Sequence, residues 1–147
     1  MNVEPSDRPS RILALDVGDR RIGIACSDPT GMLATPIGVY RRVAEDADLD
    51  HLVSVAREQE AAMVVVGLPI NMNGSEGAQA EKTRAFGEAL ARRGLSVDFW
   101  DERLTTVEAT RMLQDRGMRR RRIESIVDEL AATLILEGYL LSREARR

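Results

Sequence analysis

The strongest constraint in this chain is a pair of apolar runs set back to back. Ile12–Leu15 and Ile22–Cys26 flank a tight turn at Val17-Gly18-Asp19. Glycine supplies the permissive backbone that a tight turn needs. The stretch RILALDVGDRRIGIACSD, residues 11–28, therefore reads as a hairpin of two strands, Ile12–Asp16 and Arg21–Ser27. Asp16 is out of keeping with its strand, because a buried carboxylate without a partner is costly. Either it has a permanent cationic partner, or it stands at a strand end where a cation can arrive.

Beyond the hairpin, Pro29-Thr30-Gly31 marks a second turn and Ile37–Arg41 a third, shorter strand. The acidic stretch Glu45–Asp50 leads into a helix with Leu49, Leu52, Val53 and Ala56 at helical spacing. Met63–Val66 shows no polar alternation, which fits a strand covered on both faces. Asn71–Gly77 is a Gly/Asn/Ser loop. The spacing predicts a helix from about Ser75 to Arg93, closed by Gly94 at the position after the cap. Leu95–Trp100 reads as a further strand. Thr105-Thr106-Val107-Glu108 has a capping-box pattern, opening a helix to about Arg116. Arg119–Arg122 forms a loop before a last helix over roughly Ile123–Ser142. The order β-β-β-α-β-α-β-α-α implies an α/β fold. Its mixed five-stranded sheet has three antiparallel strands, then parallel βα units, with helices on both faces.

At 147 residues the chain has the size of one domain and needs no disulfide or structural metal to fold. We expect a flexible leader over 1–10 and a single domain over 11–147. Met1–Pro9 is polar and does not read as a signal peptide, and no apolar run approaches a membrane span. The lone Cys26 lies in an apolar run and reads as a core residue. A single thiol suits a reducing, cytoplasmic setting. The net charge of −3 does not by itself point to nucleic acid, but Lys82 is the only lysine among the cations. Arginine favours bidentate contact with phosphate or carboxylate.

Three acids have surroundings unlike those of idle surface charge. Asp16 ends the first strand and Glu102 follows the last, and ligands of open α/β sheets collect outside the carboxyl ends of the strands. Asp101 competes with Glu102, since neighbours on a strand face opposite sides. On the last helix Ile123, Val127, Leu130, Ala131 and Leu134 make an apolar stripe, with Asp128 at its edge. Any one such acid is commonly a turn or cap residue. If all three converge, they need a counter-charge. Divalent cations with oxygen ligands, Mg²⁺ or Mn²⁺, suit such a site, and two ions can hydrolyse a phosphodiester.

The segments LALDVGDRRIGIACSD, VVVGLPINMNGSEG, DERLTTVEA and DELAATLILEGYL resemble, in order and spacing, the YqgF/RuvX family, from about Arg11 to Leu141. That family is described as Holliday junction resolvases and as nucleases for the 5′ end of precursor 16S ribosomal RNA. The resemblance implies a ribonuclease H-like fold and an acidic, metal-holding catalytic site of Asp16, Glu102 and Asp128. It favours Glu102 over Asp101. The family's second motif often carries an acid where this chain has Asn73, so a loop role is expected there.

Cations and backbone donors near these acids are candidates for binding nucleic acid. They are Arg20 and Arg21 in the hairpin, Arg103 after Glu102, Thr105 and Thr106 at a helix start, and Arg119, Arg120, Arg121 and Arg122. His51 reads as a surface or packing residue, and Trp100 as a core anchor.

The acids and arginines imply a metal-dependent endonuclease acting on structured nucleic acid, and the resemblance implies that its substrate is the 5′ end of precursor 16S ribosomal RNA, in ribosome biogenesis. An alternative is a Holliday junction resolvase acting on branched DNA, which needs paired sites and hence a homodimer. Another is a non-catalytic nucleic-acid-binding module. Asp16-Val17-Gly18 also resembles the first phosphate loop of actin-like ATPases, but the chain is too short for two such lobes and shows no second DxG loop.

Overall fold

The computed structural model describes residues 10–104 and 120–145. Its strands are β1 (Arg11–Val17), β2 (Arg21–Ser27), β3 (Ala34–Arg41), β4 (Ala61–Leu68) and β5 (Val97–Asp101). Its helices are α1 (Glu45–Glu58), α2 (Ala78–Arg92) and α3 (Arg120–Ala145), and a 3₁₀ turn spans Glu102–Leu104. The sheet order is β3-β2-β1-β4-β5, with β1–β2 and β2–β3 antiparallel and β1–β4 and β4–β5 parallel. This is the mixed α/β sheet expected from the run order. The helix expected over Thr105–Arg116 lies outside the described residues.

The two faces of the sheet bury alternate residues of the same strands. Leu13, Leu15, Ile22, Ile24, Val64 and Val66 pack under α1 and α2 with Leu49, Leu52, Phe86 and Leu90. Ile12, Ala14, Ala25 and Val65 pack under α3 with Ala131, Ala132, Ile135 and Leu136. The unbroken Val64–Val66 run is thus covered on both sides, as its lack of alternation implied. Gly18 closes the first hairpin by donating its N–H to the Arg21 carbonyl at 2.8 Å. A Cβ there would sit 2.9 Å from that oxygen, which is why the turn needs glycine.

Several boundaries differ from the sequence reading, among them β4, which runs Ala61–Leu68 and extends two residues beyond Met63–Val66 at each end. β3 is longer, beginning at Ala34, with a register shift at its middle. Pro36 cannot donate to a ladder, and its place on an edge strand removes that cost. α2 starts at Ala78, after Gly77, and not at Ser75. Residues 71–75 are held as a loop: Asn71 donates its N–H to the Ser75 carbonyl at 3.0 Å, and the Asn73 side chain accepts from the Ser75 N–H and hydroxyl. β5 runs Val97–Asp101, two residues later than read at its start. Lastly, α3 already begins at Arg120, so Arg120, Arg121 and Arg122 form its first turn and do not lie in a preceding loop.

The buried stripe of α3 is also turned relative to the sequence reading. Leu130 is exposed, Leu134 is partly so, and the buried row is Ala131, Ala132, Ile135, Leu136, Tyr139 and Leu140. The Tyr139 hydroxyl donates to Asp98 at 2.9 Å, and its ring meets Trp100 edge-on at 6.0 Å. These non-local contacts set the rotation, and the small Ala131 and Ala132 let the helix approach the sheet.

Candidate functional site

Strand alternation decides which acids can meet. On β1, Ile12 and Ala14 face α3, so Asp16 is the next residue on that face. On β5, the Asp98 carboxylate meets Tyr139 and Trp100 packs under α3, so Glu102 continues the same face past the strand end. Asp16 and Glu102 are both buried, at 6% and 7% exposure. They flank Gly67. The β1–β4 ladder pairs Leu15 with Val66, and one further step sets Asp16 beside Gly67. A Cβ on Gly67 would lie 2.9 Å from Glu102 Oε1 and 2.4 Å from Ile135 Cδ1. The Glu102 carboxylate therefore occupies space that only glycine leaves open. Gly23 is the register partner of Asp16 on β2, so glycines stand on both sides of that acid in the sheet.

Asp101 falls on the other side and is already occupied. Arg103 grips it with Nε at 3.0 and 3.1 Å and with Nη2 at 2.7 Å. This side-chain bonding holds the Asp101 carboxyl below the ordinary carboxylate range against the opposing effect of burial. Arg103 Nη1 also reaches the Asn71 and Met72 carbonyls at 3.4 Å, so its side chain joins the β5 end to the 71–77 loop.

The remaining sequence candidates separate clearly. Arg20 is exposed at the hairpin tip. Arg21 lies on the Asp16 face, because Ile22 beside it faces the α1/α2 core. Thr105, Thr106 and Arg119 lie outside the described residues. Arg120, Arg121, Arg122 and Asp128 stand on the α3 backbone, and their side chains lie outside them too. Asp128 precedes Ile135 by seven residues, about 10 Å along the helix axis, and precedes buried Ala132 by one turn. Among the described residues no three His, Cys, Asp or Glu side chains form a metal-holding group. The described pair, Asp16 near the end of β1 and Glu102 in the turn after β5, offers hard oxygen donors of the kind that Mg²⁺ or Mn²⁺ takes.

Three readings of single residues are resolved. Cys26 is buried in the α1/α2 core, and burial pushes its thiol above its ordinary value, as in an inert core residue. His51 stacks on Tyr40 at 4.1 Å, a packing role. Trp100 is a core anchor under α3. Sequence reasoning missed Gly67. Its signal was present: a glycine closing a β-branched run marks a close approach.

Comparison with known proteins bears on the family and the fold. The family described as "RuvX: Holliday junction resolvase" matches residues 10–142. A Myxococcus xanthus protein named "Putative pre-16S rRNA nuclease" is 47% identical over 131 residues, 88% of this chain and 87% of its own length. A Symbiobacterium thermophilum protein of the same name is 47% identical over 137 residues, 92% of this chain and 95% of its own. Among solved structures, "T. thermophilus RuvC in complex with Holliday junction substrate" superposes with a TM-score of 0.55 at 14% identity, covering 92% of this chain and 96% of that one. At that identity the likeness concerns the fold, which is ribonuclease H-like. Among the described residues no helix is long and apolar enough to cross a membrane.

Proposed function

This chain belongs to the RuvX family, and on that premise we propose that it is a divalent-metal-dependent endonuclease that processes the 5′ end of precursor 16S ribosomal RNA. The observation that supports this reading is that Glu102 Oε1 lies against Gly67 on the face of the sheet on which strand alternation also sets Asp16. The names of relatives at 47% identity supply the substrate. Residues 11–147 act as one nuclease domain, with 1–10 as a leader.

In this reading Asp16, Glu102 and Asp128 are the catalytic acids and hold the metal, two ions by the chemistry of the donor set. When bound, Mg²⁺ or Mn²⁺ supplies a Lewis acid that neutralises charge on the phosphodiester and lowers the pKa of water. The protein's part is positional. β1 and the end of β5 fix two carboxylates on a rigid sheet, and Gly67 leaves room for Glu102 between strand and helix. Arg20, Arg21, Arg103, Thr105, Thr106 and Arg119–Arg122 bind the phosphate backbone around them. Recognition then rests on backbone and shape, in keeping with an aromatic content of 3%.

A second reading, resolution of Holliday junctions, is favoured by the family description. Symmetric paired nicks would require a homodimer. The test is incubation of the purified protein with precursor 16S RNA fragments and with four-way DNA junctions, each with Mg²⁺ or Mn²⁺. Metal-dependent cleavage of the RNA alone supports the first reading, and of the junction alone the second. Binding of both without cleavage would make the chain a nucleic-acid-binding module.

A further inference from the structure

The turn between β1 and β2 is held by a residue far from it in sequence. β1 ends at Val17 and β2 begins at Arg21, so Gly18, Asp19 and Arg20 make the turn. It stands at the carboxyl end of β1, beyond Asp16. Arg21 and Arg41 are the last register pair of the β2–β3 ladder. One step past them, the Arg42 N–H donates to the Arg20 carbonyl at 2.8 Å. The Arg42 side chain reaches the same turn, where its Nη1 donates to the Gly18 carbonyl at 3.0 Å. One residue thus takes two of the three turn carbonyls.

The Arg42 guanidinium is itself fixed from two helices. Its Nε donates to Asp48 of α1 at 2.9 Å, and its Cζ lies over the Phe86 ring of α2, 4.9 Å from the centroid. Charge-assisted bonds of this kind, in a partly buried place, hold a side chain in one geometry. Asp16 and Val17 do not need this contact, because their ladder partners Gly23 and Ile22 set them. What lies beyond the ladder is Gly18–Arg20, and that is what Arg42 fixes. Lys82 of α2 also meets the turn, 3.8 Å from Asp19, but both side chains are 66% exposed and such a surface pair contributes little. Arg20, at the tip, is exposed.

We propose that Arg42 is a positioning residue for substrate binding: it holds the turn so that Arg20 presents its guanidinium to a phosphate of the nucleic-acid backbone beside the acids. The inference rests on the nuclease reading above and on the phosphate role given there to Arg20. A turn held in advance does not have to be ordered when the substrate binds, so less of the binding free energy is lost to entropy. Arg42 itself touches no substrate.

Steady-state cleavage tests it, on whichever probe wild type cuts, a precursor 16S RNA fragment or a four-way DNA junction, with Mg²⁺. The proteins are wild type, Arg20→Gln, Arg42→Met, the double variant and Asp48→Asn. Arg20→Gln should raise KM about tenfold, as for one lost charge-assisted contact. Arg42→Met should raise it about threefold or more, as the turn must then be ordered on binding. Both should hold kcat within about twofold, since the contact is made equally in ground and transition states. The double variant should match Arg20→Gln within about twofold, because Arg42 then has nothing to position. Asp48→Asn leaves Arg42 its bond to Gly18, so its KM should stay at the wild-type value despite lost stability. Where Arg42→Met does not fold, Arg42→Lys is read in the same way, since one nitrogen does not reproduce the planar donors that serve both Asp48 and Gly18. An unchanged KM in the Arg42 variant, an equal rise in Asp48→Asn, or a double variant in which the two rises multiply overturns the proposal and leaves the nuclease reading standing. An unchanged KM in Arg20→Gln overturns it together with the phosphate role of Arg20. A wild type that binds and cuts neither probe overturns the nuclease reading as well.

Discussion

Asp48, in the first turn of α1, and the pair Asp16 and Glu102, at the carboxyl edge of the sheet, are buried carboxylates of two different kinds. Asp48 is 1% exposed. It accepts from the Val43 amide at 2.9 Å, the Tyr40 hydroxyl at 3.0 Å and Arg42 Nε at 2.9 Å, all within eight residues of it in sequence. Burial pushes its carboxyl up, but the Val43 amide, then Arg42 and Tyr40, pull it net below the ordinary carboxylate value. Asp16 lies near the end of β1 and Glu102 in the turn after β5, far apart in sequence and on one face of the sheet, with Glu102 against Gly67. Burial of a carboxylate is common to both places and identifies neither. What marks Asp48 as structural is that Tyr40, Arg42 and Val43, which bond it, are close to it in sequence, and what marks Asp16 and Glu102 as candidates is their place on one face at the carboxyl edge of the sheet.

Substitutions at the two places should therefore fail in different ways. The largest effect is expected for Asp16→Asn, which should lower metal-dependent cleavage by about 10³-fold or more while leaving the fold intact. Relief of repulsion among the acids could even raise its melting temperature. Loss of its circular dichroism signal would make Asp16 structural and erase the contrast. Gly67→Ala should follow, since its Cβ meets Ile135 and Glu102. We expect about 1–3 kcal/mol of destabilisation from overpacking, read by urea titration. Cleavage should also fall about 10²-fold, because Glu102 is displaced.

Asp48→Asn should show the reverse pattern, losing about 2–3 kcal/mol of stability with cleavage per folded molecule unchanged. Its pH dependence is the sharper test. A carboxyl held low in the folded state contributes stability that is complete above the unfolded value near pH 4 and is lost as pH falls through the native value. The gap between wild type and Asp48→Asn should therefore close as pH drops below about 4. A gap constant from pH 6 to 3 would contradict the role given to Asp48. The smallest effect is expected for Asp101→Asn beside Glu102→Gln. The first should cost less than about 1 kcal/mol and leave kcat within about threefold, and the second should resemble Asp16→Asn.

The sequence carried the sheet because apolar periodicity and turn chemistry act locally. The Val64–Val66 run and the Gly18 turn were readable for that reason. What it could not carry depends on partners far along the chain. Asp101 and Glu102 are equivalent until the face of β5 is known, and that face is set by Trp100 and Asp98 meeting Tyr139. The stripe of α3 was misplaced because Leu130 and Leu134 are as apolar as the residues it buries, and only the Tyr139 contacts choose between them. Arg41 next to Arg21 follows from a ladder whose register shifts between Ile24 and Ala25. No count along the sequence supplies that shift.

The most direct measurement is Mn²⁺ binding by isothermal titration calorimetry to wild type, Asp16→Asn and Asp48→Asn, each checked for folding. The proposed acidic site predicts that wild type and Asp48→Asn bind alike and that Asp16→Asn binds at least about tenfold more weakly. Equal binding by wild type and Asp16→Asn would contradict it, and would leave Asp16 a buried acid of the same kind as Asp48.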